Sequence, residues 1–274
     1  MAKYVYFFSA GKSEGDGSMK NLLGGKGANL ADMCKLGLPV PPGFTITTEA
    51  CAEYYKIGKE KLFKTIEGEV KAQLDRLQQD TGKTFGKGPN PLLVSVRSGA
   101  AASMPGMMDT VLNLGLNTET VKAMIDLTKN ERFVLDAYRR FIQMFGDVVM
   151  GVPHHDYEHA LDSVKKAKGK KLDNELTVED LKEVIAKYKE LFKKVTKKNF
   201  PEDPMEQLWA GINAVFGSWN NPRACKYREL NDIRGLMGTA VNVQSMVFGN
   251  AGNDSATGVD RKSTRLNSSH DQSS

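Results

Sequence analysis

The sequence predicts an α+β fold, and three observations carry that reading. Residues 1–116 mix glycine turns with short apolar runs, as packed strands and helices do. Residues 117–199 change to the period of helices. Near the end, Gly238-Thr239-Ala240-Val241-Asn242-Val243-Gln244-Ser245-Met246-Val247-Phe248 is the best strand-like run in the chain. With 274 residues, 40% of them hydrophobic, there is material for one large domain or for two lobes with their own cores.

Taken in order, residues 28–36 read as a helix stopped by Gly37, and Pro39-Val40-Pro41-Pro42-Gly43 feeds the short strand Phe44-Thr45-Ile46-Thr47. One helix is expected over 48–77, turning Tyr54, Ile57, Leu62, Ile66 and Val70 inward. After a loop over 81–91, Leu92-Leu93-Val94-Ser95-Val96-Arg97 reads as a short buried strand. In the helical stretch, Phe133, Ala137, Phe141, Met144, Phe145 and Val148 fall on one stripe. Leu181, Val184, Ile185, Tyr188, Leu191, Phe192 and Val195 fall on a second, with Thr177 as its N-cap. Asp203-Pro204 opens the next helix with a cap and a first-turn proline, and Leu208, Ile212, Val215, Phe216 and Trp219 form its buried face. Asn221-Pro222 starts another. The Gly- and Asn-rich residues 249–258 imply a hairpin after the last strand, and the polar residues 260–274 are expected to be disordered.

Composition excludes several functions. No apolar run approaches the length of a membrane span, and the first residues are not expected to act as a secretory signal or a transit peptide. Cys34, Cys51 and Cys225 are scattered without metal or redox spacing, which fits a reducing, cytoplasmic compartment. The net charge of +5 comes with runs such as Lys165-Lys166-Ala167-Lys168-Gly169-Lys170-Lys171, a solvated face. Without interleaved aromatic residues or a recognisable motif, it is not a nucleic-acid surface.

Chemistry concentrates in two places. Asn21-Leu22-Leu23-Gly24-Gly25-Lys26-Gly27-Ala28-Asn29-Leu30 is a glycine-rich turn opening a helix, where close backbone approach and free amides favour anions. It is not a Walker A loop, and neither is Gly82-Lys83-Thr84. Lys26 is either an anion ligand or a surface lysine beside a structural turn. Arg97 ends an apolar strand and precedes Ser98-Gly99-Ala100-Ala101-Ala102-Ser103-Met104-Pro105-Gly106-Met107-Met108-Asp109-Thr110. A guanidinium there needs a partner, either a structural carboxylate or a phosphate, whose two oxygens match its planar fork. The small-residue loop favours a ligand, with Met107 and Met108 available to an adenine face. The pattern His155-Asp156-Tyr157-Glu158-His159 matches a metalloprotease motif, but it reads better as a solvated helix start.

Residues 21–30, 91–116, 138–149 and 238–250 together resemble the N-terminal nucleotide-binding domain of pyruvate, phosphate dikinase, and the resemblance covers residues 1–259. It implies an ATP-grasp-like fold with ATP between two lobes. Residues 1–116 and 200–237 would form the first lobe, 117–199 a helical insertion in it, and 238–259 the start of a truncated second lobe. On the same basis, Lys26 and Arg97 contact nucleotide phosphates, Gly106, Met108 and Thr110 lie in a loop near the nucleotide, and Thr257 and Gly258 belong to a hairpin over the phosphates. The family reaction turns ATP, phosphate and pyruvate into AMP, pyrophosphate and phosphoenolpyruvate through a phosphohistidine on a swivelling domain. That histidine, the pyruvate-binding domain and the acidic ligands of the Mg2+ that accompanies ATP are not expected in this chain. His154, His155, His159 and His270 match no carrier motif. The parent enzyme is expected to be a homodimer. Ala101 departs from a position that is commonly basic, and Asp260-Arg261-Lys262-Ser263-Thr264 leaves the family pattern. A phosphoenolpyruvate synthase, or a free-standing nucleotide-binding module without catalysis, is the alternative.

Overall fold

Local sequence signals place most elements. In this computed structural model, which describes residues 3–252 and 254–258, the chain begins with β1 (Val5–Ser9), β2 (Lys12–Ser13), α1 (Lys20–Lys35) and β3 (Gly43–Ile46). Next come α2 (Thr48–Ile57), α3 (Lys59–Thr81), β4 (Thr84–Phe85), β5 (Pro91–Leu92), β6 (Val94–Gly99) and β7 (Thr110–Leu114). Helices α4 (Thr118–Thr128), α5 (Glu131–Met144), α6 (His154–Ala167) and α7 (Val178–Thr196) follow, then α8 (Pro204–Ser218), α9 (Pro222–Leu230) and β8 (Ala240–Ser245). The expected disorder of 260–274 lies outside the described residues.

Six strands form one antiparallel sheet in the order β2-β1-β3-β8-β6-β7, while β4 and β5 make a separate parallel pair. Alternation decides its two faces. Val94, Val96, Val241 and Val243 join the core cluster on the side of α8, where Gly211 permits close approach to Val96 and Leu114. Thr45, Arg97, Asn242 and Gln244 occupy the opposite, polar face, onto which α1 packs.

β8 enters the sheet built by the residues before the helical stretch. Asn242 pairs with Thr45 of β3 on one side and Arg97 of β6 on the other, so β8 is an inner strand of the same sheet as residues 5–114. Both of its edges are filled by those neighbours, and among the described residues no strand follows it. Three expectations shift. The single helix over 48–77 is two helices, parted at Gly58, whose φ of 88° and ψ of 158° suit glycine alone. The strand expected over 92–97 divides at Leu93 between the two sheets. The first helix starts at Lys20 rather than at 28 and kinks at Gly24.

The helical stretch packs on its predicted stripes. Phe141, Phe145 and Phe192 meet Phe200 edge-on with ring centroids 5.3–5.5 Å away, although Val195 is exposed at the end of α7. Capping holds where the sequence implied it. Thr177 accepts from Asp180 N, Asp203 from Met205 N and Asn221 from Ala224 N.

Candidate functional site

Glycine makes the site possible. Gly24 has φ 69° and ψ 167°, which bends α1 hard against the end of β6. A Cβ there would lie 1.6 Å from the Gly99 carbonyl oxygen, so no other residue fits. Gly25 N donates to the Ala100 carbonyl at 2.9 Å, and Gly27 rests on Thr45 and Asn242. The regular part of α1 thus starts where β6 ends, and Lys26 follows the bend. Its side chain is exposed overall, but the ammonium turns inward and donates to Ser98 O at 2.8 Å.

Arg97 stands half-buried beside it on the polar sheet face. Its Nη2 donates to Gln244 Oε1, while its Nε is buried and finds no partner. No ion pair joins Arg97 or Lys26 to a carboxylate among the described residues. Burial holds the Arg97 guanidinium below its usual pKa. The Lys26 ammonium is lowered too, first by burial and then by the positive charge of Arg97. Two neighbouring cations without a counterion repel each other, and an anion placed against both would remove that cost.

A cleft of about 460 Å³ opens alongside, between the start of α1 and the loop after β6. Lys20, Lys26, Asn29, Ser103, Met104 and Met108 are among its lining residues, and none of the lining residues is acidic. The loop is held from the other side by α8 and α9. Asn221 Nδ2 donates to Met107 O at 3.1 Å, Asp109 N donates to Ser218 Oγ at 3.2 Å, and Asp109 pairs with Arg223 at 2.9 Å. Burial raises the Asp109 carboxyl, and Arg223 offsets part of that rise.

The structure brings together four of the seven residues singled out in the sequence, with Gly106 beyond them on the same loop. Lys26 and Met108 line the cleft, Arg97 and Thr110 face each other in the β6–β7 register, and Gly106 takes a φ of 71° at the exposed loop tip. Thr257 and Gly258 are not brought there. Beyond β8 the chain leads away from Lys26: Met246 N donates to Leu93 O, Phe248 packs on Phe133, and Asn130 Nδ2 donates to Ala251 O. Thr257 lies against Gly249 at that end of the sheet.

Sequence reasoning missed Gln244 and Asn242, both buried on the face that carries Arg97. The signal was present in Val241-Asn242-Val243-Gln244. Amides at alternate positions of an inner strand must find partners. Asn242 Oδ1 accepts from Thr45 Oγ1 at 2.9 Å although its Nδ2 stays without a partner, and Gln244 Nε2 donates to Pro41 O at 2.9 Å.

The histidine pattern opens α6. His154 pairs with Asp147 and His155 with Asp156 at the exposed start of α6, and no cluster of three His, Cys, Asp or Glu groups is poised for a metal ion among the described residues. Magnesium carried by a nucleotide needs only one or two carboxylates, and none lines the cleft beside Lys26.

Comparison with known proteins decides the family. The model described as pyruvate phosphate dikinase, AMP/ATP-binding domain matches residues 20–81 and 57–271. The chain belongs to the pyruvate, phosphate dikinase family. It is 56% identical over 257 residues to the chloroplastic pyruvate, phosphate dikinase of Mesembryanthemum crystallinum, covering 94% of this chain and 27% of that protein. It is 54% identical to the pyruvate, phosphate dikinase of Clostridium symbiosum, with 94% and 29% covered. Against that of Giardia intestinalis it is 58% identical over 240 residues, with 88% and 27% covered. The chain therefore spans between 27% and 29% of the length of these relatives. The family match runs on to residue 271, into the stretch set apart above from the family pattern. Lys26, Arg97 and the loop over 100–110 all lie inside it.

Proposed function

We propose that this chain is the ATP- and AMP-binding portion of a pyruvate, phosphate dikinase, and that Lys26 and Arg97 grip the nucleotide's phosphates. One observation carries the reading: Arg97 is half-buried beside Lys26 with no carboxylate to neutralise either. An arginine kept for stability is normally paired with an acid, whereas one kept for an anion leaves its fork free. Arg97 leaves its Nε and part of its charge free. The cleft beside Lys26 has room for phosphate oxygens, and Met108 on its wall offers a polarizable surface to the base.

The parent enzyme then converts ATP, phosphate and pyruvate into AMP, pyrophosphate and phosphoenolpyruvate, passing the phosphoryl group over a histidine outside this chain. The described residues supply one wall of an ATP-grasp-like cleft, and the second wall follows β8, with Thr257 and Gly258 at its beginning. Magnesium travels with ATP, and no described residue is assigned to it. The parent is taken as a homodimer of the cytoplasm, where Cys34, Cys51 and Cys225, all free thiols, stay reduced.

Thermal unfolding tests the phosphate grip. A ligand at a hundred times its Kd stabilises its host by about 2.7 kcal/mol. ATP should therefore raise the melting temperature while adenosine, which lacks phosphates, should not, and Lys26→Ala should remove most of the ATP effect. An equal shift with adenosine would move the binding energy away from Lys26 and Arg97 and sink the proposal.

A further inference from the structure

We propose that Gln244 is the positioning residue of the phosphate site, holding Arg97 with an uncharged acceptor so that the guanidinium keeps its full charge for the ligand; this rests on the phosphate role given above to Arg97. Gln244 lies diagonally across from Arg97, because the register sets Ser95 against Gln244 and Arg97 against Asn242. Diagonal neighbours on one sheet face are within reach of long side chains. Only 5% of Gln244 is exposed, so its amide has to be satisfied inside the protein.

The orientation of that amide follows from its two partners. Gln244 Nε2 donates to the Pro41 carbonyl at 2.9 Å, and its Oε1 accepts from Arg97 Nη2. Flipping the amide would set an oxygen against an oxygen and an NH2 group against a guanidinium, losing both bonds. Pro41 sits in the turn that feeds β3, which is itself hydrogen-bonded to β8, so the whole clamp is anchored in the sheet.

The choice of glutamine is the informative part. Glutamate has the same length and would give Arg97 a charged partner, with two oxygens for its fork. That exchange would relieve the buried guanidinium and its repulsion of Lys26, yet the chain does not make it. The other acceptor at the site, the Ser98 carbonyl that holds Lys26, is uncharged as well. Both cations are thus fixed in place by neutral oxygens, and the site keeps its positive potential at some cost in stability.

Affinity should consequently fall where stability does not. In the whole chain, Gln244→Glu should weaken ATP binding about tenfold or more, since the carboxylate competes with phosphate for the same fork, while the melting temperature holds, the new ion pair with Arg97 offsetting the lost bond to Pro41 O. Gln244→Met, close in shape but without an acceptor, should weaken binding several-fold without raising the melting temperature, and it carries the test if the glutamate variant does not fold. ATP affinity by calorimetry and thermal unfolding would be read on the same samples. Unchanged ATP affinity in either folded variant overturns the proposal. So does a parallel fall of affinity and melting temperature in Gln244→Glu, the mark of a merely structural residue. A wild-type chain that binds no ATP overturns the phosphate site itself, and is told apart because it appears before any variant is compared.

Discussion

At the scale of single residues, the site depends on contacts that leave no room for a side chain. Gly24 bends the chain with φ 69° and ψ 167°, and the Gly99 carbonyl oxygen stands where its Cβ would go. Gly99 is crowded in turn, since a Cβ there would come within 2.6 Å of Asn242 Nδ2. This is why Lys26 can reach over the bend to the Ser98 carbonyl at 2.8 Å. Gly24→Ala combines a backbone clash with a region of φ and ψ reserved for glycine, so it should cost about 3 kcal/mol. In a chain of this size that lowers the melting temperature by roughly 10 °C. A variant that melts with the wild type would show that the α1 bend is not held by this contact.

At the scale of elements, one buried glutamine ties the helical stretch to the sheet. Gln207, in the first turn of α8, accepts from Gly115 N at 2.8 Å and donates to Leu116 O at 3.0 Å and Pro201 O at 2.8 Å. It thereby joins the turn after β7 to the segment before α8. Gln207→Leu would keep the volume and strand three backbone groups, a loss of about 2–4 kcal/mol readable as a lower denaturant midpoint. The sequence made the local parts of this architecture legible. The caps at Thr177, Asp203 and Asn221 rest on hydrogen bonds two or three residues away, and the stripe from Phe133 to Phe145 follows from helical period alone. Non-local choices were not legible. The alternation of β8 marks a strand, but its insertion between β3 and β6 depends on partners roughly 150 to 200 residues away. The break at Gly58 was hidden because apolar spacing continues across it, from Tyr54 to Leu62. For the site, Lys26 and Arg97 stood out by their glycine turn and strand end, whereas Gln244 drew no notice as a polar residue in a strand whose burial only the sheet reveals.

At the scale of the molecule, the inner sheet, the α1 bend and the loop held by α8 and α9 converge on two cations that nothing in the described residues neutralises. The matching family model describes an AMP/ATP-binding domain, and a nucleotide's phosphates are the anion we propose for these two cations. Calorimetric titration of ATP into the wild-type chain and into Arg97→Ala, side by side, tests that proposal most directly. Losing a charge-assisted phosphate contact should cost about 1.5–3 kcal/mol, or roughly ten- to a hundredfold in Kd. The unfolding midpoint should hold, because removing a half-buried cation that has no counterion offsets the stranding of the Gln244 acceptor. ATP binding equally tightly to Arg97→Ala, or a variant that loses stability and affinity together, would contradict the account.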